Sequence, residues 1–162
     1  MLILGYDGAV AQEHAETEQF LLGSTGYLLA RVGMEARRAW GQMLGGLGLT
    51  PHQFGMLMAL APLTATSQQQ LSRAVGVDPR NAVPIIDALQ HRGLLQRRPD
   101  PADRRRHTIA LTPAGQAMTG QLRQSGEELE DWFLDSLTDA ERAGLHATLT
   151  KLYATVTSAA YR

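Results

Sequence analysis

DPRNAVPIIDALQHRGLLQRRP, residues 78–99, decides how the fold is read. Asp78-Pro79 opens a helix, because proline at N1 gives up only an amide proton that has no intrahelical partner there. The helix runs to about Arg92, and Gly93 closes it. Past Gly93 the period changes. Leu94 to Arg98 reads as a strand and Pro99-Asp100-Pro101-Ala102-Asp103 as a turn; in a second strand, His107 to Leu111, Ile109 and Leu111 alternate with Thr108 and Ala110. The product is a helix followed by a β-hairpin with an arginine-rich tip. Pro84 is the difficulty: deep in a helix it loses an amide hydrogen bond and its ring meets the carbonyl four residues back, at ~3 kcal/mol. The expectation is a short helix whose regular part begins near Arg80 or Asn81, leaving Pro84 close to the first turn.

Helix starts elsewhere are marked by capping boxes. Thr50-Pro51-His52-Gln53, Ser67-Gln68-Gln69-Gln70 and Thr138-Asp139-Ala140-Glu141 each place a hydroxyl to accept from the N3 amide and a Glu or Gln to reach back. Thr112-Pro113 adds a fourth start. These signals predict helices over 51–61, ended near Pro62, over 68–75, ended by Gly76, over 113–137, and onward from Asp139. The 68–75 and 78–92 helices flank one tight turn. There Ser72 permits close helix contact and Gly76 can take a positive φ, while Leu71, Val75, Val77, Val83, Ile86 and Leu89 supply a shared apolar interior. Ahead of Thr50, Phe20, Leu21, Tyr27, Leu28, Val32, Trp40, Met43, Leu44 and Leu47 recur at mostly helical spacing and predict one long helix across 16–48. Gly23, Gly26 and Gly33 weaken its continuity. The glycine-rich end at residues 41–48 follows a helix and lacks Gly-Lys-Ser/Thr, so it is a helix terminus and not a phosphate loop.

The chain has 162 residues, a size suited to one domain, and no cysteine, which removes disulfides, thiolate metal sites and thiol redox switches. The start lacks a basic segment and a signal-length apolar run, and no stretch is long enough to span a bilayer, so a soluble cytoplasmic protein is expected. Net charge is −1, but the distribution is polarised. Arg92, Arg97, Arg98, Arg104, Arg105 and Arg106 stand against Asp100 and Asp103, while Glu127, Glu128, Glu130, Asp131, Asp135, Asp139 and Glu141 gather elsewhere. His14, His52, His91, His107 and His146 show no metal-ligand spacing, and no catalytic constellation appears. No cofactor, metal or enzymatic activity is expected.

The run from Asp78 to Pro99, followed by Asp100-Pro101-Ala102-Asp103-Arg104-Arg105-Arg106 and Leu111-Thr112-Pro113-Ala114-Gly115, resembles the MarR family of bacterial transcriptional regulators. The resemblance is strong from Thr50 to Gly115 and extends to the placement of the flanking helices. It implies a mainly α fold with a small β-hairpin wing. Residues 1–162 would form one domain, with a winged helix-turn-helix lobe at 50–112 and dimerisation helices at 16–48 and 113–162. It also implies a homodimer on a pseudo-palindromic DNA operator. Independently, the apolar stripes at both chain ends exceed what one lobe can bury, and a two-fold dimer presents equivalent helices about one duplex turn, ~34 Å, apart.

On that frame Arg80 and Asn81 open the recognition helix. Arginine can address guanine and asparagine adenine, or Asn81 caps the helix and Arg80 meets phosphate. The resemblance implies that Arg105 of Asp103-Arg104-Arg105 enters the minor groove while Asp103 braces the hairpin. Arg104 and Arg106 are then phosphate candidates, and of Arg97 and Arg98 strand alternation lets only one face DNA. Gln68 and Gln69 remain free beside the capping box of Ser67 and Gln70 and are further DNA candidates. Val83 and Pro84 replace positions that are often polar or arginine in the family, which reduces direct readout. The family also implies a small aromatic or anionic effector, for which Trp40, His52 and Met56 are placed, with Arg37 or Arg38 to meet a carboxylate. The functional expectation is a ligand-responsive, DNA-binding repressor; the alternative is a winged-helix interaction module without sequence-specific binding.

Overall fold

A computed structural model describes residues 19–99 and 107–160. A helical segment over 19–22 precedes α1 (Thr25–Gly46). The expected unbroken helix across 16–48 is interrupted at Gly23 and Ser24. The Ser24 carbonyl already accepts from Leu28 N at 3.0 Å and its Oγ accepts from Tyr27 N at 3.4 Å, so serine restarts the helix as a cap where glycine weakens it. The chain divides into two compact units, Met1–Met43 and Leu44–Arg162. The change in burial follows it: between Thr25 and Met43 no side chain is fully buried, whereas Leu44 and Leu49 are 3% and 5% exposed. The turn that follows α1 passes through Gly48, whose φ of +65° is open to glycine at little steric cost.

The second unit continues with α2 (Pro51–Leu60), β1 (Thr66–Ser67), α3 (Gln68–Ala74), α4 (Pro79–His91), β2 (Leu95–Pro99), β3 (His107–Leu111), α5 (Pro113–Phe133) and α6 (Asp139–Ala160). All three capping boxes form. Thr50 Oγ1 accepts from Gln53 N at 3.3 Å, Ser67 Oγ from Gln70 N at 3.3 Å, and Thr138 Oγ1 from Glu141 N at 3.4 Å. The hairpin acquires a third strand that periodicity did not predict: the sheet order is β1-β3-β2, antiparallel, with Thr66 opposite Ile109. A two-residue strand is too short to show alternation. α5 stops at Phe133, four residues before the expected end, because Leu134 caps it and the chain turns toward Thr138.

The core lies between α2, α3, α4, α5 and the sheet. Met56, Leu57, Leu60, Leu71, Ile86, Leu89, Ile109 and Leu122 are 0–2% exposed, and burying each such side chain contributes about 1.5–3 kcal/mol. Ser72 is fully buried and donates its Oγ to Gln68 O at 2.7 Å, which satisfies the hydroxyl inside the helix pair. Val83 departs from the expected interior. It is 38% exposed, and Ala82 takes the buried place with Ile86 and Leu89 at helical spacing.

Pro84 also departs from expectation. α4 begins at Pro79 and runs through Pro84 without a break. Asp78 fixes this start: its Oδ1 accepts from Arg80 N at 2.8 Å, and its carbonyl accepts from Asn81 N and Ala82 N at 2.9 and 3.0 Å. The cap and the buried face of α4 outweigh the missing amide.

Candidate nucleic-acid interface

α4 turns Ala82, Ile86 and Leu89 into the core and leaves Arg80, Asn81, Val83 and Pro84 exposed along its N-terminal half. Asp78 is the N-cap, so Asn81 does not cap the helix and its side chain stands on the exposed face beside Arg80. That places a guanidinium and a carboxamide next to two apolar side chains.

The helix is anchored at its other end. Arg92 donates from Nη1 to Gly48 O at 2.6 Å and from Nη2 to Leu47 O at 3.1 Å, tying the end of α4 to the carbonyls that follow α1. Thr112 joins α4 to α5, with its Oγ1 donating to Gly93 O at 2.6 Å and accepting from Gly115 N at 3.0 Å. The Thr112–Gly115 bond is the helix cap expected from Thr112-Pro113, whereas the Arg92 contacts and the Thr112–Gly93 bond have no local sequence signature, since their partners lie far apart in the chain.

β2 separates its two arginines. Leu95, Arg97 and Pro99 share one face with Leu111, Ile109 and His107, while Gln96 and Arg98 share the other with Ala110 and Thr108. The first face is the core face, and Arg97 reaches back from it to α4. Its Nη2 lies 2.5 Å from Asp87 Oδ1, and its Nη1 donates to Gln90 Oε1. Arg98 is exposed. The sequence held a signal for this pairing in the spacing of Asp87 and Gln90, i and i+3 on one helix face. The wing tip, with the sites expected at Asp103, Arg104, Arg105 and Arg106, lies outside the described residues.

Gln68 and Gln69 open α3. Gln69 is exposed and Gln68 half-buried, its carbonyl bonded to Ser72, while Gln70 is engaged with Ser67. Of the candidate effector residues, Arg37, Arg38 and Trp40 fall in the first unit and His52 and Met56 in the second. Arg37 and Arg38 border an open concavity of about 520 Å³ with Leu29, Ala30, Gly33 and Met34. Arg38 is 4.0 Å from Glu35. His52 is exposed on the first turn of α2, whereas Met56 is 0% exposed and packs in the core, so a ligand reaches it only if that core opens. Among the described residues no cluster of potential ligands could hold a metal ion, and no helix is long and apolar enough to cross a membrane.

The sequence model of the MarR family matches residues 49–107, the segment that carries α2 to the hairpin. A putative transcriptional regulatory protein for the hcr operon of Thauera aromatica is 32% identical over 134 residues, which cover 82% of this chain and 81% of that protein. This chain belongs to the MarR family. It is a winged-helix, DNA-binding transcriptional regulator of that family, and its solved MarR-family neighbours share the architecture. Bordetella bronchiseptica BpsR, whose DNA binding is regulated by 6-hydroxynicotinic acid, is 30% identical with a TM-score of 0.65, covering 80% of this chain and 93% of BpsR. CouR of Rhodococcus jostii, a transcriptional repressor solved on a 23-mer DNA duplex, is 28% identical with a TM-score of 0.69, covering 82% of this chain and 94% of CouR.

Proposed function

We propose that this MarR-family chain is a cytoplasmic homodimeric repressor that binds a pseudo-palindromic operator and is released by a small aromatic or anionic effector. The observation that carries the reading is α4: a helix with one face locked into the core and with Arg80 and Asn81 exposed at its N-terminal end, beside a hairpin whose Arg98 is exposed. Such a helix fits the major groove, where arginine and asparagine address guanine and adenine edges. Arg98, Gln68 and Gln69 supply backbone contacts, and Arg104, Arg105 and Arg106 at the wing tip extend them, with Arg105 in the minor groove and Asp103 bracing it.

Dimerisation is supported by exposed apolar side chains on both terminal helices, among them Val32 at 50% and Val156 at 61%. Apolar surface on this scale is characteristic of an interface. Effector response is supported by the behaviour of BpsR, with Arg37, Arg38, Trp40, His52 and Met56 as the candidate contacts. Effector binding would favour a lobe separation mismatched to the operator.

Fluorescence anisotropy with duplex from the upstream intergenic region, repeated across salt concentrations, tests the reading. The expected result is steep salt dependence and a specific-to-nonspecific ratio of about 10³ or more. Arg105→Ala should cost about 1–3 kcal/mol of binding, and unchanged affinity removes Arg105 from the mechanism. A second reading, a winged-helix module without sequence preference, is favoured by the exposure of Val83 and Pro84 on the face that meets bases. Salt-dependent binding of equal strength to unrelated duplexes would select it.

A further inference from the structure

Arg97 is a poor phosphate ligand despite its place in an arginine-rich wing. It stands on the core face of β2, opposite Ile109. Its guanidinium is held by Asp87 Oδ1 at 2.5 Å and by Gln90 Oε1, and its side chain is 30% exposed against 54% for Asp87. A guanidinium already paired to a carboxylate adds no net positive charge at the DNA surface. Moving it to a phosphate would exchange one anion for another while leaving the Asp87 carboxylate bare on the recognition helix. The pair also spans two elements that address different grooves, since Asp87 belongs to α4 and Arg97 to the stem of the wing.

We propose that Asp87 withholds Arg97 from the DNA backbone, so that Arg97 acts as a positioning residue bracing the wing against the recognition helix while Arg98 alone of the β2 arginines meets phosphate. The inference rests on the DNA-binding reading above. The contact fixes β2, the strand that leads into the wing, against α4. Arg98, on the opposite face of the strand, has no such tether among the described residues; its backbone carbonyl accepts from Thr108 Oγ1 at 3.5 Å.

The salt dependence of binding separates bracing from phosphate contact, because each phosphate neutralised adds about 0.9 to the slope of log affinity against log salt. The full chain is titrated into its upstream duplex as wild type, Arg98→Gln, Asp87→Ala and the double variant Asp87→Ala/Arg97→Gln. The double variant has the wild-type net charge, so a slope difference between the two reports a lost phosphate contact. Equal slopes are expected, with affinity at least about threefold weaker through loss of the brace. Arg98→Gln should flatten the slope by about 0.9 per protomer, and Asp87→Ala should steepen it by a similar amount as Arg97 is freed. A double variant as flat as Arg98→Gln, or an Asp87→Ala variant indistinguishable from wild type, overturns the proposal. Wild-type protein that binds no duplex would defeat the DNA-binding reading instead. The brace is then judged without DNA, by melting temperatures of the two single variants and the double: a double loss smaller than the sum supports it, and strict additivity overturns it.

Discussion

A Cβ built on Gly115 would lie 2.1 Å from the carbonyl oxygen of Leu94 and 3.1 Å from Leu111 Cδ2. Leu94 O is already engaged, accepting from Thr112 N at 3.1 Å, so the backbone that would have to move also fixes the start of α5 against the end of α4. Gly115 is buried in the first turn of α5, and its conformational freedom is incidental; what matters is the absence of a side chain. Gly115→Ala should therefore destabilise the lobe by about 1–3 kcal/mol, the range for forced overpacking. A urea titration with unchanged slope and a lower midpoint is the expected result. A midpoint equal to wild type would mean that α5 slides without cost.

Much of this arrangement is legible from the residues themselves. The four threonine and serine caps are read locally and form locally, and Gly48, Gly76 and Gly93, the three positive-φ glycines among the described residues, each sit where a helix is expected to end. What escapes a local reading is long-range. Arg92 finds Leu47 and Gly48, Arg97 finds Asp87, and β1 exists only because β3 offers an edge. Val83 escapes a local reading because both it and Ala82 are apolar on one helix, and only packing decides which of two adjacent residues points inward.

Pro84 supplies the second prediction. Its missing amide leaves the Arg80 carbonyl without the usual donor inside α4. Against the ~3 kcal/mol cost of an interior proline stands a gain of about 0.4–1 kcal/mol from restricting the unfolded chain. Pro84→Ala should therefore raise stability by about 2 kcal/mol, seen as a higher denaturation midpoint. No change, or a decrease, would show that the Asp78 cap and the packing of Ile86 already absorb the defect.

The start of α6 carries a titration signature. Glu141 Oε2 accepts from Thr138 Oγ1 at 2.6 Å and from Thr138 N at 2.9 Å, and these bonds hold its carboxyl below the ordinary value of 4.5. A folded-state pKa lower than the unfolded one means that the stabilisation is present in full above about 4.5 and is lost as pH falls through the lowered value. Glu141→Gln keeps the acceptor of the capping box but cannot titrate. Unfolding midpoints measured from neutral pH downward should thus fall less steeply for the variant in that acidic window. Identical pH profiles would place the acid sensitivity elsewhere.

α6 tests the homodimer directly. Leu145, Leu149, Leu152 and Val156 follow one another at intervals of four, three and four residues, which sets them on one face of the helix. They are 38%, 40%, 46% and 61% exposed, although α6 is tied to α5 by Arg142 and Asp131 at 2.9 Å. No described side chain of α6 is buried, and the stripe stands open beyond that one ion pair. A second copy of the chain covering this stripe would bury several large side chains at about 1.5–3 kcal/mol each when fully enclosed, enough for a single charge in the middle to be felt. Leu152→Lys places an ammonium there; in the free lobe it remains solvated, so the fold should keep its melting behaviour at low concentration. In the dimer it is desolvated without a partner, and light scattering should show a shift from the mass of two chains toward that of one. Operator affinity should fall with it, since one lobe holds only one half-site. If Leu152→Lys keeps the wild-type mass and full affinity, the dimer does not use this face of α6.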